Sequence, residues 1–244
     1  MSDIIFWHGW GMQSSVWDGL INLLDRMRAG ESLLMAQSLP GYDGSSSPDT
    51  GSPEALTDSM LDDMSSPAVL CGWSLGAILA MLAAHRNPDK VEKLILIGAT
   101  PSFIRREGWN CALEAQSLSE FGKTVELDPT STLRQFVSLF NRNDSNARLI
   151  TRQLTSLATP PAQVLDDGLS LLGSMDLRSI VPAISQPVLL IHGEHDPLMP
   201  LQAAQWLADT LPNARLEVLP NAAHAPFLSD PARCAALISD FLDE

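Results

Sequence analysis

The sequence is poor in the features that mark several large protein classes. Its 244 residues include 3 cysteines, Cys71, Cys111 and Cys234. They are odd in number and lack metal-like spacing, which argues against a disulfide scaffold or a zinc module and for a reducing compartment. Basic side chains are scarce: 15 Lys and Arg stand against 29 Asp and Glu, a net charge of −14. A protein whose main business is gripping nucleic acid is thereby excluded. No apolar run approaches the roughly 18 residues that cross a bilayer. The start, Met1-Ser2-Asp3-Ile4-Ile5-Phe6, lacks the basic opening and long apolar stretch of a signal peptide. Charged residues make up 18% and hydrophobic ones 45%, a balance that excludes disorder. Internal repeats and low-complexity segments are missing too, and residues 43–48 read simply as a loop. What remains is a soluble, cytoplasmic, globular protein of one large α/β domain or two small ones, expected as a monomer.

What is present alternates. Short apolar runs at residues 4–7, 33–37, 68–71, 93–97, 188–191 and 215–219 are continuous, as strands buried on both faces of a parallel sheet must be. Helical patterns at 15–28, 75–86, 201–211 and 231–242 lie between or after them. The alternation predicts a mostly parallel, doubly wound α/β sheet with right-handed crossovers. Residues 101–176 break it, with helical patterns only. Leu133, Phe136, Val137 and Phe140 share one helix face, as do Ala147, Ile150 and Leu154 in a second helix and Val164, Leu165, Leu169 and Leu172 in a third. The expected organisation is a core of residues 1–100 and 177–244 with a helical lid, 101–176, inserted over the carboxyl ends of the strands.

Gly72-Trp73-Ser74-Leu75-Gly76 sits between the run Val69-Leu70-Cys71 and a helix. A serine there needs a sharp, strained turn, and the flanking glycines remove the Cβ atoms that would clash. Its hydroxyl also needs a base. Of the five histidines, His224 follows the last strand in a loop able to reach across the sheet top, whereas His85 falls late in a helix. An acid must orient the imidazole. Gly193-Glu194-His195-Asp196-Pro197 ends another strand and offers two, of which Asp196 lies deeper in a turn stiffened by Pro197 and Pro200. Ser74, Asp196, His224 is the nucleophile–acid–base order of α/β-hydrolases. Oxyanion donors are expected from the backbone N–H of Leu75 and of Trp10 in His8-Gly9-Trp10-Gly11.

Rival readings of the same residues fail on their details. Gly9-x-Gly11 as a dinucleotide fingerprint lacks Gly or Ala at position 14, which is Ser14, and lacks an acid at the end of the next strand. His192, His195 and Asp196 crowd one strand end without a metal-site pattern. Cys71 lies inside an apolar strand and reads as a core residue. Within residues 130–155, four arginines (Arg134, Arg142, Arg148, Arg152) accompany a single acid, Asp144. Positive charge on a negative chain points to an acidic partner at the pocket mouth; the plain alternative is a solvated helix face.

These motifs together resemble the α/β-hydrolase superfamily over nearly the whole chain. The likeness is nearer to the pimeloyl-acyl-carrier-protein methyl ester esterases of biotin synthesis. It rests on His8-Gly9-Trp10-Gly11-Met12 with Val16-Trp17, Leu39-Pro40-Gly41-Tyr42, Gly72-Trp73-Ser74-Leu75-Gly76, Asp176-Leu177-Arg178 and Ala223-His224-Ala225-Pro226-Phe227. The chain departs from that pattern in lacking the first strand and hairpin and in carrying Tyr42 and Asp43 where Phe-Gly is usual. The resemblance implies a catalytic Ser74, Asp196 and His224, with Trp10, Leu75 and Phe136 lining an ester pocket that Phe140, one turn on, extends. It implies a carboxylesterase that cleaves the methyl ester of a pimeloyl-type chain through an acyl-enzyme, needing neither cofactor nor metal. The partner is then an acyl carrier protein, met by Arg134, Arg142, Arg148 and Arg152, without nucleic acid or membrane. The competing expectations are a general short-chain carboxylesterase or C–C bond hydrolase and, from another class, a non-catalytic ligand sensor of hydrolase fold.

Overall fold

Short strands that are apolar throughout can only be stable with both faces covered. The computed structural model of the chain, which describes residues 2–30, 32–45, 52–62, 64 and 66–244, meets that demand with one sheet. Its strands are β1 (Ile4–Trp7), β2 (Leu34–Gln37), β3 (Ala68–Trp73), β4 (Val91–Ile97), β5 (Val188–Gly193) and β6 (Ala214–Leu219). Among the described residues the order is β2-β1-β3-β4-β5-β6, and every pair is parallel. Phe6, for example, stands between Ala36 and Cys71. The interior strands β1, β3 and β5 are buried along their whole length, while the edge strands β2 and β6 are mostly half-exposed. The expected sheet is therefore present and entirely parallel among these residues.

The helices are α1 (Asp18–Arg28), α2 (Pro53–Met60), α3 (Leu75–Arg86), α4 (Ala115–Leu127), α5 (Pro129–Phe140), α6 (Ala147–Leu154), α7 (Ala162–Ser174), α8 (Leu201–Thr210), α9 (Pro226–Ser229) and α10 (Pro231–Leu242). α1 packs on α10, whereas α3 packs on β3, β4 and α2, so the sheet has helices on both sides. The helix expected over 15–28 begins instead as a 3₁₀ turn, Ser14–Trp17. Two short helices, α2 and α9, escape the periodicity argument because one or two turns carry too few apolar positions. Of the loop at 43–48, residues 46–48 lie outside the described residues. No helix among the described residues is long and apolar enough to cross a membrane.

Chain order reverses between β1 and β3, the position at which open α/β sheets form a crevice. α4 to α7 fall between β4 and β5 in sequence, with α4 packed against α5 and α7. The two ends of this insertion are tied together at its neck. Leu177 N–H donates to the Pro101 carbonyl at 2.8 Å, Arg178 grips the Asp176 carboxylate at 2.7 Å, and Arg106 stands 3.7 Å from it. Arg178 foremost holds the Asp176 carboxyl below the usual carboxylate range.

Candidate active site

At the end of β3 the chain turns so sharply that Ser74 takes φ 58° and ψ −117°, a conformation that costs of order 1–3 kcal/mol in a non-glycine residue. The fold holds it there by close approach on both sides. A Cβ on Gly72 would lie 2.4 Å from the Gly76 carbonyl, and one on Gly76 would lie 2.3 Å from that of Trp7. Only glycines allow β3, α3 and β1 to converge so tightly. Ser74 N–H donates to the Ile97 carbonyl at 3.0 Å. Leu75 heads α3, so its N–H is one of the first-turn amides without an intrahelical acceptor.

The loop after β1 lies against this turn: a Cβ on Gly9 would fall 3.2 Å from that of Ser74. The next residue, Trp10, is buried under the insertion. Its indole N–H donates to the Leu165 carbonyl at 2.8 Å, and its ring meets Phe121 at 5.5 Å and Phe136 at 5.1 Å between centroids. Two residues to which the sequence assigned no role of their own, Tyr42 and His8, support this loop. Tyr42 Oη accepts from Gly11 N–H at 3.1 Å. His8, fully buried, presents Nδ1 to the Gly9 carbonyl at 2.9 Å and accepts from Leu39 N–H through Nε2 at 3.0 Å. Burial drives the His8 pKa down to about 4.

His224 lies in the turn after β6, in contact with the end of β4: a Cβ on Gly98 would be 3.2 Å from its Nδ1. That nitrogen is 2.7 Å from Asp196 Oδ2. Asp196 is buried, whereas Glu194 and His195 are exposed, so of the two acids it is Asp196 that meets the imidazole. Its other oxygen accepts from Leu198 N–H and Met199 N–H, both at 2.9 Å. Burial opposes the Asp196 charge, yet His224, His192 and the Met199 amide together keep its pKa below the ordinary value. With Nδ1–H directed at a carboxylate, Nε2 of His224 is left as the proton acceptor. The sequence did not reveal how the backbone of His224 is gripped. Its carbonyl accepts the Trp73 indole N–H at 2.8 Å, and its ring is 5.5 Å from that of Phe140.

Phe140 in turn meets Phe136 at 5.2 Å, so a row of rings leads from His224 through the insertion to Trp10. Beyond Phe136 the surface forms a shallow, solvent-open cavity of about 580 Å³ lined by Phe121, Phe136 and Leu139, with Arg134 and Arg142 beside them. Arg148 and Arg152 are exposed on α6. Among the described residues, none of these four guanidinium groups forms an ion pair. Asp144, by contrast, is buried and does not offset them at the surface. His192 is also buried, with Nε2 2.7 Å from the Met199 carbonyl, and His195 does not converge with it. Among the described residues no group of three or more His, Cys, Asp or Glu could hold a metal.

The model of the alpha/beta hydrolase family matches residues 4–237. The pimeloyl-[acyl-carrier protein] methyl ester esterase of Aromatoleum aromaticum is 40% identical over 98% of this chain and 97% of its own. That of Nitrosomonas europaea is 37% identical over 94% and 91%. Among solved structures, an esterase from Exiguobacterium antarcticum superposes with a TM-score of 0.91 at 20% identity, over 100% of this chain and 92% of its own, a likeness of fold. With this match along nearly its whole length, the chain belongs to the alpha/beta hydrolase family, grouped within it among the pimeloyl-[acyl-carrier protein] methyl ester esterases.

Proposed function

We propose that the protein hydrolyses the methyl ester of a pimeloyl-type acyl chain carried on an acyl carrier protein, in biotin synthesis. The observation that carries the chemistry is the buried 2.7 Å contact of His224 Nδ1 with Asp196 Oδ2 at the same sheet end as Ser74. Ser74 Oγ attacks the ester carbonyl while His224 Nε2 takes its proton. Asp196 holds the imidazole in one tautomer and stabilises the imidazolium. The N–H groups of Leu75 and Trp10 receive the developing oxyanion. His224 then returns the proton to the departing methoxide, methanol leaves, and water cleaves the acyl-enzyme by the same route. No cofactor enters this scheme.

The substrate reading draws on the names of the relatives and on the charge of the insertion. The residues 101–176 serve as the lid, with Trp10, Phe136 and Phe140 as its apolar lining. An acidic carrier would dock on Arg134, Arg142, Arg148 and Arg152. Arg134 and Arg142 stand beside the cavity next to Phe136, where a long flexible arm could enter. Methanol release from the carrier-borne methyl ester, followed for wild type and Ser74→Ala, tests the reading. Release by the wild type alone supports it, and equal release by both refutes it.

A further inference from the structure

We propose that Asp144 is a positioning residue for His224, fastening the helical insertion to the turn that carries the imidazole. Asp144 stands in the corner between α5 and α6, and its side chain points inward. Oδ2 accepts Ala223 N–H at 2.8 Å, the amide immediately before His224. Oδ1 accepts the Ser229 hydroxyl at 2.8 Å and Asn146 N–H at 2.7 Å. Among the described residues no Lys or Arg pairs with this carboxylate, so its charge is satisfied by donors alone, the stronger kind of hydrogen bond.

Neighbouring bonds join the same two segments. Ser145 N–H donates to the Asn221 carbonyl at 3.0 Å, and His224 N–H to the Phe140 carbonyl at 3.3 Å. Asn146 Nδ2 donates to the Ser229 carbonyl at 2.8 Å. His224 is thus held at its ring by Asp196, at its carbonyl by Trp73, at its amide by Phe140 and at the preceding amide by Asp144. The insertion cannot swing at this corner without carrying the imidazole along. A base misplaced by about 1 Å loses on the order of 10²-fold in rate, so a buried anchor one residue away acts on kcat rather than on ester binding.

This inference rests on the triad reading above, and the test separates the two. Asp144→Asn keeps the shape but replaces one acceptor oxygen with a donor, leaving a buried N–H without its partner. Hydrolysis of p-nitrophenyl acetate, a small ester that needs no carrier, is measured together with the thermal melt by circular dichroism. Expected is a fall of about 10- to 100-fold in kcat with KM within about two-fold, on protein that is folded at the assay temperature. Ser229→Ala, which removes one donor and leaves the Ala223 bond, should lower kcat about three-fold at unchanged KM. Folded Asp144→Asn with wild-type kcat overturns the proposal. If Asp144→Asn does not fold, wild-type kcat in Ser229→Ala overturns it. Ser74→Ala, run alongside, must be inactive; if it turns over, the triad reading itself has failed.

Discussion

Strand β3 buries all six of its residues, whereas α6 in the insertion buries only Ile150 and Leu154 of its eight. The difference is one of geometry. A strand in a doubly covered sheet touches apolar neighbours above and below, so nearly every side chain is constrained. A surface helix is constrained along a single stripe and leaves the rest of its circumference to solvent. In this molecule Ser74 and Asp196 follow the buried strands β3 and β5, and His224 lies buried in the turn after the edge strand β6, whereas Arg134, Arg148 and Arg152 stand on surface helices and Arg142 in the turn between α5 and α6. Under the proposed function, chemistry falls where the backbone is over-determined, and partner contact where sequence can vary without cost to the fold.

Breaking the rigid side should have the largest effect. Ser74→Ala should lower kcat for any ester by about 10⁴- to 10⁶-fold with the fold retained, read by steady-state kinetics and circular dichroism. Asp196→Asn should cost about 10⁴-fold, because the imidazole would favour the wrong tautomer. Glu194→Gln, at an exposed position two residues away, should leave turnover within about two-fold. A larger loss in the glutamate variant would move the acid to Glu194.

The two regions should also respond differently to acid, since all five histidines lie outside residues 101–176. His8 is kept neutral by burial, its pKa falling from 6.5 to about 4, and His192 shifts in the same direction, also through burial. The unfolded chain therefore binds protons that the folded one refuses. Stability is full above pH 6.5 and is lost as pH falls from there towards 4, by about 2 kcal/mol between pH 7 and pH 5 from His8 alone. Urea unfolding at the two pH values checks this, and a His8→Asn variant should show a smaller difference.

The smallest effects belong to the arginines. Arg134→Glu with Arg142→Glu should raise KM for the carrier-borne ester about ten-fold at low salt, with little change in kcat and none on a small free ester. Arg148→Glu with Arg152→Glu should act in the same direction and more weakly, being on α6 and away from the cavity beside Phe136. Added salt should shrink both differences. An equal loss on free and carried esters would assign the arginines to support of the insertion.

Much of this contrast is legible in the amino-acid order alone. The strands declare themselves as continuous apolar runs, with ends displaced by two residues or so; β3 runs on through Gly72 and Trp73, where a glycine suggests that it stops. In the insertion, α4 escapes recognition because its buried stripe is only Leu118 and Val125, seven residues apart and too sparse to show a period. Ser74, Asp196 and His224 are legible because each lies in a local motif at a strand end. Asp144 is not. Its partners, Ala223 and Ser229, are 79 and 85 residues away, and a lone acid among arginines looks like a solvated charge. His8 is hidden in the same way, since its acceptor role depends on Leu39 in a different loop.

The central claim is that a rigid esterase site is served by a helical insertion that recruits a carrier. It is tested most directly by kcat/KM for one methyl ester presented in two forms, free and attached to acyl carrier protein, at low and high salt. The account predicts higher efficiency on the carried ester, a preference that narrows as salt is added. Equal efficiency on both forms at low salt would contradict it and leave a general carboxylesterase.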